Sequence, residues 1–222
     1  MKIAISGASG KTGFRIAEES ISAGYTTKLL IRKSSTLPDS LNKCSKQIIN
    51  LSKKTDLDNA LKGNDALVIA TGARPSIDLT GPAKIDALGV IQQIQSCKRV
   101  GIKRVVLVSS LCTGKLFHPL NLFGLILIFK RIGEENLENS GLNWTIVRPG
   151  GLNEKEEGIN EERILYTQKN KQEEGNVPRR LVAITCIDAL KEKSSIGKII
   201  EITSSKEHSK TTMKKAIQSF NI

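Results

Sequence analysis

Lys2-Ile3-Ala4-Ile5-Ser6 runs straight into Gly7-Ala8-Ser9-Gly10-Lys11-Thr12-Gly13, and a helical spacing of Phe14, Ala17 and Ile21 follows at i, i+3 and i+7. Strand, glycine turn, helix leaves the unpaired N–H groups of a helix N-terminus where an anion can reach them. Gly7 suits the tight turn, Gly10 lets a pyrophosphate come up to the backbone, and Gly13 allows the helix to pack close to the strand. Three glycines three apart are a weak pattern in a chain that holds 18 of them. The flanking strand and helix make it read as a nucleotide-binding turn rather than an ordinary tight connection.

Outward from this turn, apolar β-rich runs alternate with helical patterns. Strands are expected at Lys2–Ser6, Thr27–Arg32, Gln47–Leu51, Ala66–Ala70, Arg104–Ser109, Trp144–Arg148 and Lys198–Ile202. Helices are expected near Lys11–Ala23, Thr55–Lys62, Ala83–Val100, Leu125–Ser140 and Arg179–Lys191, with Ala87, Ile91 and Ile94 as one buried stripe and Leu125, Phe129 and Ile132 as another. Continuous apolar strands separated by helices predict an α/β fold, a doubly wound parallel sheet covered on both faces, with ligands past the carboxyl ends of the strands. The whole chain, 1–222, reads as one such domain. Gly150–Arg180 departs from the pattern: it is polar, charged and glycine-punctuated, and reads as a substrate-side lid or small segment, or else as a solvated excursion.

Composition narrows the function. Hydrophobic residues make up 39% and charged residues 25%, ordinary for a soluble protein with a proper core. The opening strand is too short for a secretory signal, and the longest apolar stretch, Leu120 to Phe129, falls well short of the ~20 residues of a membrane span. A soluble, cytoplasmic protein is expected, with a plastid or peripheral-membrane setting left open. Four scattered cysteines read as reduced hydrophobes, and the two histidines, His118 and His208, lack metal-ligand spacing, so no metal site is expected. The net charge of +12 is spread along the chain, aromatics are 4%, and no nucleic-acid signature accompanies them. Lys206, Lys210, Lys214 and Lys215 read as the wet face of a terminal helix, and a basic surface also attracts phosphorylated cofactors.

The expected strand ends carry the chemistry. An NAD-selective site places a carboxylate after the second strand, to bond the ribose 2′-hydroxyl. Here Arg32 and Lys33 stand there and no carboxylate occurs between Tyr25 and Pro38, which favours a 2′-phosphate and hence NADP(H) over NAD(H); an exposed basic turn is the alternative. Ala70-Thr71-Gly72 is small enough for a ribose or nicotinamide to approach. Ser109-Ser110 would turn hydroxyls to the cleft, unless they serve only as turn formers. Pro149-Gly150-Gly151 offers bare backbone, for a nicotinamide or simply for a turn.

Gly7–Gly13, Arg32, Val108-Ser109-Ser110, Lys130-Arg131 and Trp144-Thr145-Ile146-Val147-Arg148-Pro149-Gly150-Gly151 together resemble an atypical short-chain dehydrogenase/reductase. The similarity is to the compact NAD(P)-binding proteins related to the biliverdin-IXβ/flavin reductases and the NmrA-like proteins, and it covers nearly the whole chain. The resemblance implies that the turn from Gly7 through Ala8, Ser9, Gly10, Lys11 and Thr12 to Gly13, with Arg32, binds the adenosine half. It implies that Leu51, Ala70, Thr71 and Gly72 line adenine and ribose. Ser109, Lys130, Pro149, Gly150 and Gly151 would then surround the nicotinamide ribose and ring.

The chain departs from the wider superfamily in one respect. Tyr25 is followed four residues on by Leu29, and Tyr166 by Asn170, so the Tyr-x-x-x-Lys pair that exchanges a proton with alcohols and ketones is absent. Hydride transfer to a conjugated, electron-poor ring asks less of the protein. Lys130 could hold a ribose, and Ser110 and His118 are candidate proton donors, although His118 reads more simply as a surface histidine. The expected function is an NADPH-dependent reductase of a flavin, quinone or bilin, bound between Ser110–Asn121 and Gly151–Tyr166. The apolar Leu116–Phe129 run reads as a buried helix, or alternatively as one wall of that site. The alternative function is a non-catalytic nucleotide-binding regulator or assembly protein.

Overall fold

A computed structural model describes residues 1–73, 80–123 and 125–220. Its strands are β1 (Lys2–Ser6), β2 (Thr26–Ile31), β3 (Ser45–Ile48), β4 (Ala66–Ile69), β5 (Arg104–Val108), β6 (Asn143–Pro149), β7 (Gly151–Asn153), β8 (Arg163–Gln168), β9 (Asn176–Pro178) and β10 (Lys198–Ser205). The helices are α1 (Gly13–Ser22), α2 (Lys54–Leu61), α3 (Val90–Val100), α4 (Ile126–Glu138), α5 (Arg179–Lys191) and α6 (Met213–Ser219). One sheet runs in the order β3-β2-β1-β4-β5-β6-β10-β8; β8 alone within it is antiparallel. This is the expected Rossmann architecture, and its parallel strands bring Ser6, Ile69, Val108 and Pro149 to one edge.

Alternation along the strands builds two cores. Ile3, Ile5, Val68, Val106, Val147 and Ile200 meet Ile16 and Ala17 of α1, Val182 and Cys186 of α5 and Ile217 of α6. Ala4, Leu67, Val105, Leu107 and Ile146 face the other way, onto Leu57 and Leu61 of α2, Val90 and Ile94 of α3 and Leu137 of α4. All four cysteines are free thiols. No helix among the described residues is long and apolar enough to cross a membrane.

Several expectations are corrected. The buried face of α4 is Leu127, Gly133, Glu134 and Leu137, not Leu125, Phe129 and Ile132. Gly133 lets the helix close onto the Asp86 carbonyl, and the inward Glu134 is bound by Arg148. In α1 the inward residues are Ile16, Ala17 and Ser20, while Ile21 is 42% exposed. The helix expected over Ala83–Val100 opens as a π-helix, Ala83–Gly89, before α3 begins. Leu116–Phe129 is not a buried helix: Leu116, Phe117, Leu120 and Leu122 are exposed, and α4 starts only at Ile126. Gly124 of that run lies outside the described residues. Lys206 and Lys210 are not on the terminal helix, because β10 runs on to Ser205 by pairing with β8 and Thr212 caps α6 through the Lys215 amide. Within Gly150–Arg180, β8 joins the main sheet, β7 and β9 pair with each other, and α5 begins.

Candidate cofactor cleft

The glycine turn is held by its own backbone. Gly7 has φ +78, and a Cβ there would lie 2.7 Å from the Ala70 carbonyl oxygen, so this residue both turns left-handed and touches the end of β4. The Gly10 amide donates to the Gly7 carbonyl at 2.9 Å. A Cβ on Gly13 would sit 2.1 Å from that same carbonyl oxygen, which is why α1 can start so close to β1. Ala8 is fully buried in the core beneath the turn. The amides of Ser9, Lys11 and Thr12 have no protein partner among the described residues, so they are available to an anion.

A cleft of about 1130 Å³ opens past the carboxyl ends of β1, β2 and β4. It is lined on one side by Gly7, Ser9 and Gly10, and on the others by Arg32, Lys33, Leu51, Ala70, Thr71 and Gly72. Its size lies beyond the ~300–1,000 Å³ typical of small-ligand pockets and suits an extended dinucleotide. The turn after β2 is tied to the glycine loop, because Ser9 Oγ donates to Ser35 Oγ at 2.9 Å and Ser35 Oγ accepts the Arg32 amide at 3.2 Å. Ser6 and Thr71 line this cleft, and their hydroxyls are buried without a partner among the described residues. Free amides at a helix N-terminus and the Arg32 and Lys33 cations on one cleft suit a phosphate-bearing ligand, so the residues fit a nicotinamide dinucleotide.

Thr71 also opens onto a much smaller cavity with Ser109, Lys130, Val108 and Asp86. Lys130 Nζ donates to Asp86 Oδ1 at 2.8 Å, and Asp86 Oδ2 accepts the Ala73 amide at 3.1 Å. Asp86, on the π-helical turn, is 2% exposed, and sequence reasoning missed it. Ser109 lines this cavity; Ser110 and His118 line neither cavity. His118 Nδ1 accepts the Leu120 amide at 3.2 Å.

Pro149, Gly150 and Gly151 lie off both cavities. The Pro149 carbonyl accepts the Leu111 amide at 2.9 Å, and a Cβ on Gly150 would lie 2.4 Å from the Gly175 carbonyl oxygen. Protein packing thus accounts for that glycine. Tyr166 is in the core, and burial pushes its phenol up to about 12.

Residues 7–193 match the NAD(P)H-binding family. The chain belongs to that family. It is 34% identical over 227 residues to an uncharacterized chloroplastic protein of Arabidopsis thaliana, covering 96% of this chain and 80% of that one. It is 29% identical over 251 residues to sanguinarine reductase of Eschscholzia californica, covering 93% and 90%. Among solved structures, an NAD-dependent epimerase/dehydratase-like protein of Bacillus halodurans superposes with a TM-score of 0.85 at 26% identity, covering 99% of this chain and all of that one. Other chloroplastic relatives from Arabidopsis are longer, and the chain spans 54% of one and 27% of another.

In this member of the NAD(P)H-binding family, ion pairs join α1 to the segment after β7. Lys11 pairs with Glu154 and Arg15 with Glu156, while Arg180 reaches Glu18, Glu19 and Glu156. Burial works against ionisation of Glu156, yet hydrogen bonds from Arg15 and Arg180 hold its carboxyl below the usual range. Lys11 does the same for Glu154. Spacing within the sequence carries no signal for these contacts, all of which but Arg180–Glu156 span over a hundred residues.

Proposed function

We propose that this chain is an NADPH-dependent reductase that delivers a hydride to a planar conjugated acceptor of the flavin, quinone or bilin class. One observation carries the reading: the cleft runs from a cationic end at Arg32 and Lys33 to a cavity furnished with Thr71, Ser109 and Lys130 but no phenol. In this reading the loop amides hold the pyrophosphate, Arg32 takes the 2′-phosphate, and Leu51, Ala70 and Gly72 pack adenine and ribose. Asp86 anchors the ammonium of Lys130 so that its remaining protons face a ribose hydroxyl. A bound nicotinamide supplies the two-electron chemistry. The protein's share is to align the rings, exclude water and provide a weak donor such as Ser110, with His118 as the further candidate. In this reading the acceptor stacks over the nicotinamide between Ser110–Asn121 and Gly151–Tyr166. The likeness to sanguinarine reductase supports a reductase over a sugar-modifying enzyme, which needs an acid/base pair.

The test is NADPH consumption with flavins, quinones and bilins, using wild type, Ser110→Ala and Arg32→Glu. Turnover should co-elute with the protein, and Arg32→Glu should weaken NADPH roughly 10- to 100-fold while sparing NADH. Equal wild-type affinity for NADPH and NADH would remove Arg32 from its role. Firm binding with no acceptor reduced would establish the regulator instead.

A further inference from the structure

Four cations surround the first turn of α1, and three of them are matched by carboxylates: Lys11 by Glu154, Arg15 by Glu156, and Arg180 by Glu18, Glu19 and Glu156. Arg179 is not. Among the described residues it has no carboxylate within ion-pair distance. Its Nη1 donates to Thr12 Oγ1, inside the glycine turn, at 3.0 Å. Its Nε is enclosed and has no hydrogen-bond partner among the described residues. A buried, unsatisfied donor on a permanently charged group is an unfavourable arrangement that a fold keeps only when something completes it. Burial disfavours the charge on Arg179, Glu154 supports it without reaching ion-pair distance, and the nearby Arg15 works against it.

We propose that Arg179 is a pyrophosphate-binding residue, acting through its contact with Thr12 together with the free amides of Ser9, Lys11 and Thr12. This rests on the reading of the glycine turn as a dinucleotide site. The fork of a guanidinium suits two phosphate oxygens, and Thr12 fixes its orientation before the ligand arrives. The position follows from the fold. Arg179 is the first residue of α5, directly after β9, and β9 is registered on β7 from Gly151↔Asn176 to Asn153↔Pro178. A phosphate held between Arg179 and the loop therefore ties the β7–β9 ribbon to α1.

The experiment titrates the full chain with NADPH, NADH and adenosine 2′-monophosphate, for wild type, Arg179→Ala, Arg179→Lys and Arg32→Glu, with melting temperature as the control for folding. Arg179→Ala should weaken NADPH and NADH by the same factor, roughly 10- to 30-fold, because both carry the pyrophosphate. It should leave adenosine 2′-monophosphate unchanged, and Arg179→Lys should fall between. Arg32→Glu should show the opposite selectivity, losing NADPH and adenosine 2′-monophosphate but not NADH. Wild-type affinity for both dinucleotides in Arg179→Ala or Arg179→Lys overturns this proposal alone. Failure of wild type to bind either dinucleotide overturns it together with the reading on which it stands.

Discussion

Replacing Arg148 by Met should destabilise the protein by about 3 kcal/mol, at the lower end of the ~3–5 kcal/mol for breaking a buried ion pair. Arg148 and its partners Glu134 and Glu201 are at most 1% exposed. The guanidinium forks onto Glu134 at 2.9 and 2.6 Å, and its Nη1 reaches Glu201 at 3.2 Å and Asn170 at 3.0 Å. Glu201 would keep three backbone donors, from Asn170, Lys171 and Gln172 at 2.8, 2.9 and 2.9 Å, so its charge stays solvated by the protein. Among the described residues Glu134 would keep only the longer Arg131 contact at 3.3 Å. The loss therefore falls mainly on Glu134. At roughly 2–4 °C per kcal/mol for a chain of this size, the melting temperature should drop by roughly 6–12 °C. Removing the stranded acid as well, in Arg148→Met/Glu134→Leu, should restore more than half, since an apolar replacement of a buried pair is often near neutral. Urea denaturation of the two variants measures both numbers. A loss under about 1 kcal/mol for the single variant, or a double variant no better than the single, would refute the assignment of the cost to an uncompensated Glu134.

Three further outcomes follow from the same coordinates. Gly13→Ala places a Cβ 2.1 Å from the Gly7 carbonyl oxygen, so α1 must retreat; we expect a loss of about 1–3 kcal/mol and NADPH affinity down by over tenfold, and unchanged binding by calorimetry would count against a fixed turn. Asp86→Asn removes the carboxylate that holds Lys130 at 2.8 Å; the KM for NADPH should rise roughly tenfold with a melting temperature within a few degrees of wild type, and an unmoved KM would show that Lys130 needs no anchor. Burial lifts the Tyr166 phenol from its ordinary 10 to about 12, so the fold prefers the neutral form. The associated stability is fully present below pH 10 and disappears as pH climbs to about 12, some 2–3 kcal/mol in all. Denaturation midpoints of wild type and Tyr166→Phe should diverge over that window, and superimposable alkaline profiles would contradict it.

The central parallel strands of the sheet were legible because they are buried on both faces and read as unbroken apolar runs. Ala66–Ile69 and Arg104–Val108 are cases in which burial of nearly every residue leaves no other solution. The edge was not legible. In β8 only Tyr166 is fully inward and Leu165 points out, an alternation too short to rise above loop composition, and β7 and β9 are three residues each. Their hydrogen bonds come from partners far along the chain. The face of α4 was misread for a related reason: a glutamate counts as a solvent residue until its arginine is known, and Arg148 arrives from β6.

At the cleft, glycine itself was ambiguous in the sequence, because a bare backbone serves either a protein contact or a ligand. The structure separates the two. Gly7, Gly13 and Gly150 are each required by another part of the protein, with a Cβ placed 2.7, 2.1 and 2.4 Å from a backbone oxygen. Gly10 is different: a Cβ there would meet its own turn at 3.2 Å and nothing else nearby, on the wall of the cleft. Gly72 has more room, its Cβ lying 3.7 Å from Asp86 and 3.8 Å from Lys130. Packing against the Gly7 carbonyl thus constrains Gly10, whereas at Gly72 it gives little reason for glycine. Gly10 and Gly72 both line the cleft. Asp86 and Arg179 carried no sequence signal, since each is placed by a contact made across the fold, to Lys130 and to Thr12.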